Sequence, residues 1–392
     1  MTKILVFSEL LHPQGGGSEL ALHLLLKNLL LKGDYKISII TTNSSKQYDN
    51  MYQRLKIINI PTSLYRHDIF ISTLLTYRHI ITKEIKSSDI IYIAHNWFPA
   101  IPLSKNLKKP VVLHVHDNML LCPLATRYDI MNKRECTSRN LSRCMRCASI
   151  LGQILKLPIY IKILSLCLSP MFKVPDSWLK MIDKIIFPSE YQLKVSIRRI
   201  PKIANKSIVI HNLLPNLHYV EIKGTDIGFL GGNNYLKGYG VLLSAIKRMK
   251  LKGIKIRIAG ANHRLSLSNI LYVGKLRHAS VQFYEFYKKI KIIVNPTLLP
   301  EPHPYTVVEA LQMGRLLIAS RRGGIPELVK GAKGVILIEP RPEKLAEALE
   351  ILSSIDKETA THIGLYNREL VFTKFDNQKI IRKFMNVIDS LA

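Results

Sequence analysis

Residues Val294–Leu328 read VNPTLLPEPHPYTVVEALQMGRLLIASRRGGIPEL, and this stretch decides the fold that the sequence predicts. It starts at the end of a short, β-branched apolar run, 290–294, which is typical of a buried strand. A proline-rich loop, a helical pattern from Tyr305 to Met313, a second apolar run and a Gly-Gly turn follow in that order. The alternation of strand, loop and helix indicates an α/β fold with a parallel sheet.

Two glutamates frame the loop and the helix of this stretch. Glu301 lies in the loop and Glu309 about one turn into the helix, with seven residues between them. Such a loop follows the carboxyl end of a parallel strand, where open α/β sheets bind ligands. The N–H groups at the helix start, near Tyr305, Thr306 and Val307, are suited to hold a diphosphate, and a carboxylate beyond them is suited to accept hydrogen bonds from ribose hydroxyls. The alternative is that both glutamates are ordinary loop and helix charges.

These residues resemble the donor site of the retaining glycosyltransferases of family four, the glycogen-synthase-like group with the GT-B fold. The family signature has two glutamates separated by seven residues, and then a small-residue loop that ends in G-G-x-P-E. Here these are Glu301, Glu309 and Gly323–Glu327. The resemblance implies that the first glutamate contacts the donor sugar and that the second holds the nucleotide ribose. His303-Pro304 stands where the family often has Phe-Gly.

The beginning of the chain also reads as strand, glycine turn and helix. A buried-type strand at 3–8 is followed by three consecutive glycines and by a helix at 19–32, for which Ser18 is the expected N-cap. Glycines let the backbone approach a ligand at a helix start. The family opens with strand, G-G-x-E and helix, and this resemblance implies that Gly16 and Gly17 bind the donor. A plain turn is the alternative.

Two further buried-type strands, 89–94 and 110–114, end in polar residues, where a ligand crevice is expected. The sequences that follow them resemble a subgroup of the same family and are His95-Asn96-Trp97-Phe98-Pro99, His116-Asp117 and Cys122-Pro123. The resemblance implies that His116 lies by the donor sugar and the reacting centre, so that His116 and Glu301 are the expected catalytic residues. For His95 and His114, a structural role and a ligand contact are equal alternatives.

The predicted strand 227–230 precedes a loop that contains a lysine at a position where the same family also has one. Residues 231–238 read GGNNYLKG, where the family has G-R, some loop residues and K-G. The resemblance implies that Lys237 holds the leaving diphosphate, whereas a surface lysine is the alternative. Gly232 stands where the family often has its phosphate-binding arginine. No D-x-D triplet occurs in the sequence, so we expect no metal on the diphosphate and no required cofactor beyond a nucleotide diphosphate sugar as co-substrate.

The segment from Met119 to Ile150 is expected to be a loop-rich insertion that is rich in cysteine. It contains Cys136, Cys144 and Cys147, the last two in a C-x-x-C spacing, and Cys122 belongs to the same segment. Four cysteine ligands are typical of structural zinc sites, and C-x-x-C is a common half of one. The fourth ligand would have to be Cys122 or a histidine. A structural zinc site, with all four cysteines as its candidate ligands, and a set of reduced, unliganded thiols are the two interpretations.

The bulk composition is that of a basic globular protein. The 392 residues suffice for two domains with cores of their own. Lys and Arg number 57 against 28 Asp and Glu, and the net charge of +29 favours anionic partners. Nucleic acid is not the expected partner, because the sequence has no helix-turn-helix, no zinc-finger histidine spacing and no aromatic-basic pattern.

The expected location follows from the start of the chain and from its most apolar segment. The first residues form a strand and carry no signal-peptide pattern, which predicts a cytoplasmic protein. The apolar segment Ile150–Phe172 is interrupted by lysines and prolines. An interfacial segment on an anionic membrane surface and an internal helix under the core are equal alternatives. The first would place the protein peripherally on the inner face of the membrane.

The resemblance extends over nearly the whole chain and implies a GT-B fold, with two Rossmann-like parallel α/β domains that face one another across a cleft. We expect residues 1–215 to form the acceptor-side domain, with a cysteine-containing insertion at 119–172. Residues 216–374 are the expected nucleotide-sugar donor domain, and residues 375–392 a helix that crosses back to the first domain.

The implied activity is sugar transfer with retention of configuration and without metal. The implied acceptor is a hydroxyl of a glycan or a lipid-linked acceptor, in cell-surface polysaccharide or glycolipid synthesis. The alternatives are a GT-B enzyme that acts on nucleotide sugars as an epimerase does, and a basic nucleic-acid-binding protein.

Overall fold

The chain divides into two compact units, each with its own sheet and core. The computed structural model describes residues 1–42, 51, 55–61, 72–138, 140–154, 174–249, 254–261 and 269–392. Unit 1 comprises residues 1–131, 136–213 and 377–392, and unit 2 comprises residues 132–135 and 214–376. The insertion predicted at 119–172 is therefore divided, because residues 132–135 group with unit 2.

Unit 1 is built on a parallel sheet with the strand order β3-β2-β1-β4-β5-β8-β9. The strands up to residue 213 are β1 (Thr2–Ser8), β2 (Tyr35–Thr41), β3 (Lys56–Asn59), β4 (Ile90–Ile93), β5 (Val111–His114), β6 (Tyr128–Asp129), β7 (Arg134–Glu135), β8 (Lys184–Phe187) and β9 (Ser207–Val209). The central strands are buried on both faces, which explains their continuous β-branched sequences.

Unit 2 repeats this architecture with the strand order β12-β11-β10-β13-β14-β15, again parallel throughout. Its strands are β10 (Asp226–Phe229), β11 (Ile256–Ala259), β12 (Ile270–Gly274), β13 (Ile290–Asn295), β14 (Leu316–Ser320) and β15 (Val335–Ile338). Strands β13 and β14 are completely buried, as their sequences predict. In both units the strand order reverses near the middle of the sheet, at β1 and β4 and at β10 and β13.

Helices cover the faces of both sheets. In the described residues the α-helices are α1 (Gly17–Lys32), α2 (Arg78–Lys86), α3 (Ala100–Asn106), α4 (Leu141–Ile154), α5 (Asp176–Met181), α6 (Glu190–Arg199), α7 (Tyr239–Ile246), α8 (Val281–Lys289), α9 (Tyr305–Gln312), α10 (Ile325–Leu328), α11 (Pro342–Ser354), α12 (Lys357–Lys374) and α13 (Asn377–Asp389). The last helix packs in unit 1, where Phe384 and Ile388 are buried with residues of β1 and β2. Tyr35 on β2 donates to Oδ1 of Asp389 at 2.8 Å.

One local prediction was wrong. Helix α1 begins at Gly17 with Gly16 as its N-cap, so Ser18 is not the cap. The reason is that Glu19, three positions after Gly16, accepts the hydrogen bond from the backbone N–H of Gly16 itself. The insertion is loop-rich before α4, as expected, and the 14-residue helix α4 then carries the C-x-x-C spacing.

The segment that follows the last strand of unit 1 is bound to unit 2 by buried and half-buried polar side chains. Gln312 donates to the carbonyl oxygen of Pro215 at 2.9 Å, and Arg368 to that of Leu217 at 3.0 Å. The completely buried guanidinium of Arg315 donates to the carbonyl oxygen of Val220 at 2.7 Å. Burial lowers the pKa of Arg315 to about 10, and it stays charged at neutral pH. Residues 215–220 therefore belong structurally to unit 2.

Candidate active site

Strands β10 and β13 form the switch point of the unit 2 sheet, where doubly wound folds bind ligands. The loops after these two strands are in direct contact. The backbone N–H of Leu298 donates to the carbonyl oxygen of Leu236 at 2.8 Å. A Cβ atom at Gly238 would lie 2.0 Å from the carbonyl oxygen of Pro296, so only glycine permits this approach.

The contact between the loops brings Lys237 and Glu301 together. Lys237 ends a single 3-10 turn, and the side chain of Asn234 caps that turn by accepting from the N–H of Lys237 at 3.3 Å. The Nζ atom of Lys237 donates to Oε2 of Glu301 at 2.6 Å. The Glu301 side chain is 14% exposed and that of Lys237 is 40% exposed, so the carboxylate is mostly buried and the ammonium group is open to solvent.

The Gly-Gly-Ile-Pro-Glu sequence shapes the loop that carries Glu301. Gly323 has a φ of +61°, and a Cβ atom there would lie 2.2 Å from the carbonyl oxygen of Glu301. The N–H of Gly324 donates to the same oxygen at 2.9 Å. The buried Arg322 donates through Nη1 to the carbonyl oxygen of Leu298 at 2.7 Å. Gly323 thus permits the close approach of the Glu301 backbone, and Gly324 holds that backbone by a hydrogen bond.

Helix α9 starts directly after this loop and points its N-terminus toward the switch point. Pro304 is its N-cap, and its first residues are Tyr305, Thr306 and Val307. The N–H of Val307 already donates to the carbonyl oxygen of Pro304 at 3.2 Å. The diphosphate contact predicted for Val307 therefore competes with a bond inside the first turn. Aligned peptide dipoles still favour an anion at this end of the helix.

Glu309 lies on the buried side of α9, where its side chain is 8% exposed. Burial, and then the charge of Glu309, raise the pKa of Tyr305 and of Tyr287 well above the ordinary value. The Nε2 atom of His278 is 3.1 Å from Oε1 of Glu309. The sequence did not point to His278, although it follows closely after the end of β12, where polar side chains of such sheets meet ligands.

The backbone at Gly232 has a conformation and a close neighbour that only glycine tolerates. Its φ is +58°, and a Cβ atom there would lie 2.4 Å from the carbonyl oxygen of Gly260. Both features exclude an arginine at this position in the present backbone. Lys237 is consequently the cation that the loop after β10 brings to Glu301.

Strands β1 and β4 form the corresponding switch point of unit 1. The N–H of Gly16 donates to Oε2 of Glu19 at 2.6 Å, and the hydroxyl of Ser18 donates to the same oxygen at 2.9 Å. Gly15 has a φ of +82°, and a Cβ atom there would lie 2.4 Å from the Glu19 side chain. A carboxylate thus occupies the start of helix α1. The donor contacts of Gly16 and Gly17 stay a prediction.

Three histidines line up at the carboxyl ends of β4 and β5. The ring centroids of His95 and His116 are 5.6 Å apart, and those of His114 and His116 are 4.0 Å apart. His114 is buried and His116 is half-buried. The Nε2 atom of His95 is 3.6 Å from Oε1 of Glu19. The structure therefore brings His116 together with both histidines whose roles the sequence left open.

Hydrogen bonds assign the protonation of two of these rings. The Ser8 hydroxyl donates to the carbonyl oxygen of Leu10 at 2.7 Å, so Nδ1 of His95, 3.0 Å from Ser8 Oγ, must carry a proton and donate to it. The Tyr92 hydroxyl is 2.6 Å from Nδ1 of His114. Burial, and then the charge of His95, lower the pKa of His114 to about 3. His114 is therefore neutral at pH 7, and its Nδ1 shares a hydrogen bond with the Tyr92 hydroxyl.

The cysteines predicted to bind zinc are neighbours in unit 1. Cys144 and Cys147 lie one turn apart on α4. Burial, and then the nearby Cys122, Cys136 and Cys147, raise the pKa of Cys144. All four thiols are free of disulfide bonds. Among the described residues, no group of three or more His, Cys, Asp or Glu side chains is arranged to hold a metal ion.

Most of the apolar segment predicted at 150–172 lies outside the described residues, since the description stops at Ile154 and resumes at Val174. Its role, as an interfacial segment or as a helix under the core, stays open. No helix in the part of the chain that the structure covers is long and apolar enough to cross a membrane.

Comparison with known proteins finds a family match within unit 2 and a distant relative of nearly the same length. Residues 224–354 match the family model of the Glycosyl transferases group 1. An uncharacterized 42.6 kDa protein in the cps region of Klebsiella pneumoniae is 22% identical over 385 residues, which are 93% of this chain and 99% of that protein.

Solved glycosyltransferase structures resemble the chain over its whole length. The crystal structure of Anabaena Alr3699/HepE in complex with UDP-glucose matches with a TM-score of 0.71 at 15% identity and covers 100% of both chains. Sucrose-phosphate synthase from Thermosynechococcus elongatus matches with a TM-score of 0.72 at 15% identity, over 100% of this chain and 99% of that one. The chain therefore has the two parallel α/β domains of the GT-B fold, and its residues 224–354 are similar to the group 1 glycosyl transferases.

Proposed function

We propose that the protein is a retaining glycosyltransferase of family four that moves a sugar from a nucleotide diphosphate sugar to a hydroxyl of a glycan or a lipid-linked acceptor. The observation that carries the proposal is the arrangement of Lys237, Glu301 and Glu309 around one loop and one helix start at the switch point of unit 2. The family match of residues 224–354 and the GT-B fold support it.

Each of these residues has a chemical role in the proposed donor site. Glu309 accepts hydrogen bonds from the ribose, and Glu301 contacts the sugar. Lys237 and the start of α9, at Tyr305 and Thr306, stabilise the diphosphate. Anabaena Alr3699/HepE and S. aureus TarM were solved with UDP, so a UDP-sugar is the first donor to test.

The proposed reaction breaks the bond between C1 of the sugar and the diphosphate oxygen. The acceptor oxygen forms the new bond to C1 on the same face, and its proton leaves with the diphosphate. Charge develops on the departing diphosphate, where a cation and helix N–H groups lower the barrier. We assign this work to Lys237 and the α9 start, because position 232 does not admit the family's arginine. We propose that no metal ion takes part, because the sequence has no D-x-D triplet.

Unit 1 is the proposed acceptor-side domain. His116 is the proposed catalytic residue there, and its imidazole lies against the neutral ring of His114. The high positive charge of the chain suits lipid-linked acceptors at an anionic membrane surface. We therefore place the enzyme in the cytoplasm, peripheral to the membrane, in cell-surface polysaccharide or glycolipid synthesis.

The test is release of nucleoside diphosphate from a panel of UDP-, GDP- and ADP-sugars in the presence of a chelator. Release from one donor should be lost in Lys237→Ala and Glu309→Ala. The exposed pair Lys344 and Glu347 on α11 provides the matched controls, Lys344→Ala and Glu347→Ala, which should keep full activity. Nuclear magnetic resonance of the product should show the donor's anomeric configuration. A free epimerised sugar, or no release from any donor, would contradict the proposal.

We further propose that Cys122, Cys136, Cys144 and Cys147 close around a structural zinc ion, which requires their side chains to rearrange, because among the described residues no three ligands are placed to hold a metal ion. The chain has five cysteines, and four of them lie between residues 122 and 147 as mutual neighbours without disulfides. Four thiolates are the ligand set of closed structural zinc sites. The ion would bind the loop after β5 to helix α4 and would take no part in the reaction.

A further inference from the structure

His278 and Glu309 form a close and mostly buried pair in unit 2. Their Nε2 and Oε1 atoms are 3.1 Å apart, and their side chains are 20% and 8% exposed. Within the described part of the chain, His278 is the one ion-pair partner of Glu309. A buried carboxylate needs polar partners for both of its oxygens, and the imidazole nitrogen of His278 contacts only one of them.

The loop that carries His278 is built to hold the imidazole in place. The hydroxyl of Ser280 caps helix α8 by accepting from the N–H of Phe283 at 3.2 Å. The N–H of Ser280 donates to the carbonyl oxygen of Arg277 at 3.1 Å, which closes a turn around His278. Ala279, inside this turn, has a φ of +56°. The His278 ring packs against the Phe283 ring, with 5.3 Å between the centroids.

We propose that His278 is a positioning residue for the nucleotide. Its Nε2 atom, 3.1 Å from Oε1, holds one oxygen of the Glu309 carboxylate by a polar contact, which leaves the second oxygen for the ribose hydroxyls of a nucleoside diphosphate. The inference rests on the proposed function, because it requires a nucleotide at the start of α9. Both carboxylate oxygens have a polar partner when a ribonucleotide is bound, so the pair selects for ribose over a sugar that lacks these hydroxyls.

The experiment compares the Kd of UDP with that of 2′,3′-dideoxy-UDP by calorimetry, or uses GDP or ADP and its analogue if the donor panel identifies that base. Wild type should prefer the ribonucleotide. His278→Ala should weaken binding of the ribonucleotide about tenfold and leave the dideoxy analogue almost unchanged. His278→Gln should restore most of the preference, because its amide nitrogen can take the place of Nε2.

The outcomes separate this inference from the function on which it rests. His362, an exposed histidine 4.0 Å from Glu358 on α12, provides the control variant His362→Ala, which should bind as wild type does. An equal loss for both nucleotides in His278→Ala would assign the residue to folding and overturn the inference. So would a ribose preference that survives in His278→Ala. Binding of neither nucleotide by wild type would overturn the proposed function itself.

Discussion

The Nζ atom of Lys237 lies 2.6 Å from Oε2 of Glu301, although 64 residues separate them in the sequence. The family resemblance assigns the lysine to the diphosphate and the glutamate to the sugar. The carboxylate of Glu301 thus pairs with the cation that the proposed function assigns to the diphosphate. Under that proposal a diphosphate competes with Glu301 for Lys237.

Removing the charge of Glu301 should therefore strengthen product binding and slow transfer. We expect Glu301→Gln to bind UDP several-fold more tightly than wild type at low salt, because the diphosphate no longer competes with a carboxylate for Lys237. The gain should be modest and should shrink with salt, since Lys237 is 40% exposed. Calorimetry with UDP at two salt concentrations measures it, with Glu347→Gln as the control. Weaker binding in Glu301→Gln would contradict this competition.

Gly232 should not tolerate a side chain, even the arginine of related enzymes. Gly232→Ala should cost about 1–3 kcal/mol of unfolding free energy, because its φ is +58° and its Cβ would lie 2.4 Å from the Gly260 carbonyl oxygen. Gly240 on α7 has open space around its Cβ position, so Gly240→Ala should be neutral or stabilising. Urea unfolding of both variants tests the contrast, and equal effects would show that the loop adapts.

His114 should make the stability of unit 1 fall in acid. The unfolded ring takes up a proton near its ordinary pKa of 6.5, whereas burial lowers the pKa of the folded ring to about 3. The unfolded state thus binds more protons between these values, and stability is lost as pH falls through 6.5 toward 3. From pH 7 to pH 5 this effect amounts to about 2 kcal/mol.

Urea unfolding at pH 7 and pH 5 measures this loss. His114→Gln, which keeps an acceptor for Tyr92, should lose less stability over this range than wild type does. The exposed His362 provides the control, and His362→Gln should behave as wild type. Equal pH dependence in wild type and His114→Gln would contradict the neutral, buried state of His114.

The cysteine site should contain about one zinc ion per chain after purification without chelators. We expect zinc to be lost in Cys144→Ser and Cys147→Ser, together with a lower Tm, because a structural ion stabilises the fold that forms its ligands. Cys167 lies outside the described residues and is the control, so Cys167→Ser should keep the metal. Elemental analysis measures the ratio. A metal-free, equally stable wild type would end the zinc proposal.

The sequence alone predicted the α/β class and most of the strands, because short β-branched runs and glycine turns are local signals. The buried run before Glu301 is β13, and the helix that carries Glu309 is α9, as predicted. Helix α4 was not predicted, because the cysteine spacing indicated a zinc site in a loop-rich segment. The N-cap of α1 was also predicted wrongly. The cap is Gly16, whose backbone N–H donates to the Glu19 carboxylate, and not Ser18.

What the sequence by itself determined is the set of candidate residues: the resemblance to the family singled out Lys237, Glu301 and Glu309. Only the tertiary structure decided their partners. It paired Lys237 with Glu301 and His278 with Glu309. It also placed the carbonyl oxygen of Gly260 so close to position 232 that no side chain fits there. The physical reason is the reversal of strand order at β10 and β13, which brings loops distant in sequence together at one edge of the sheet.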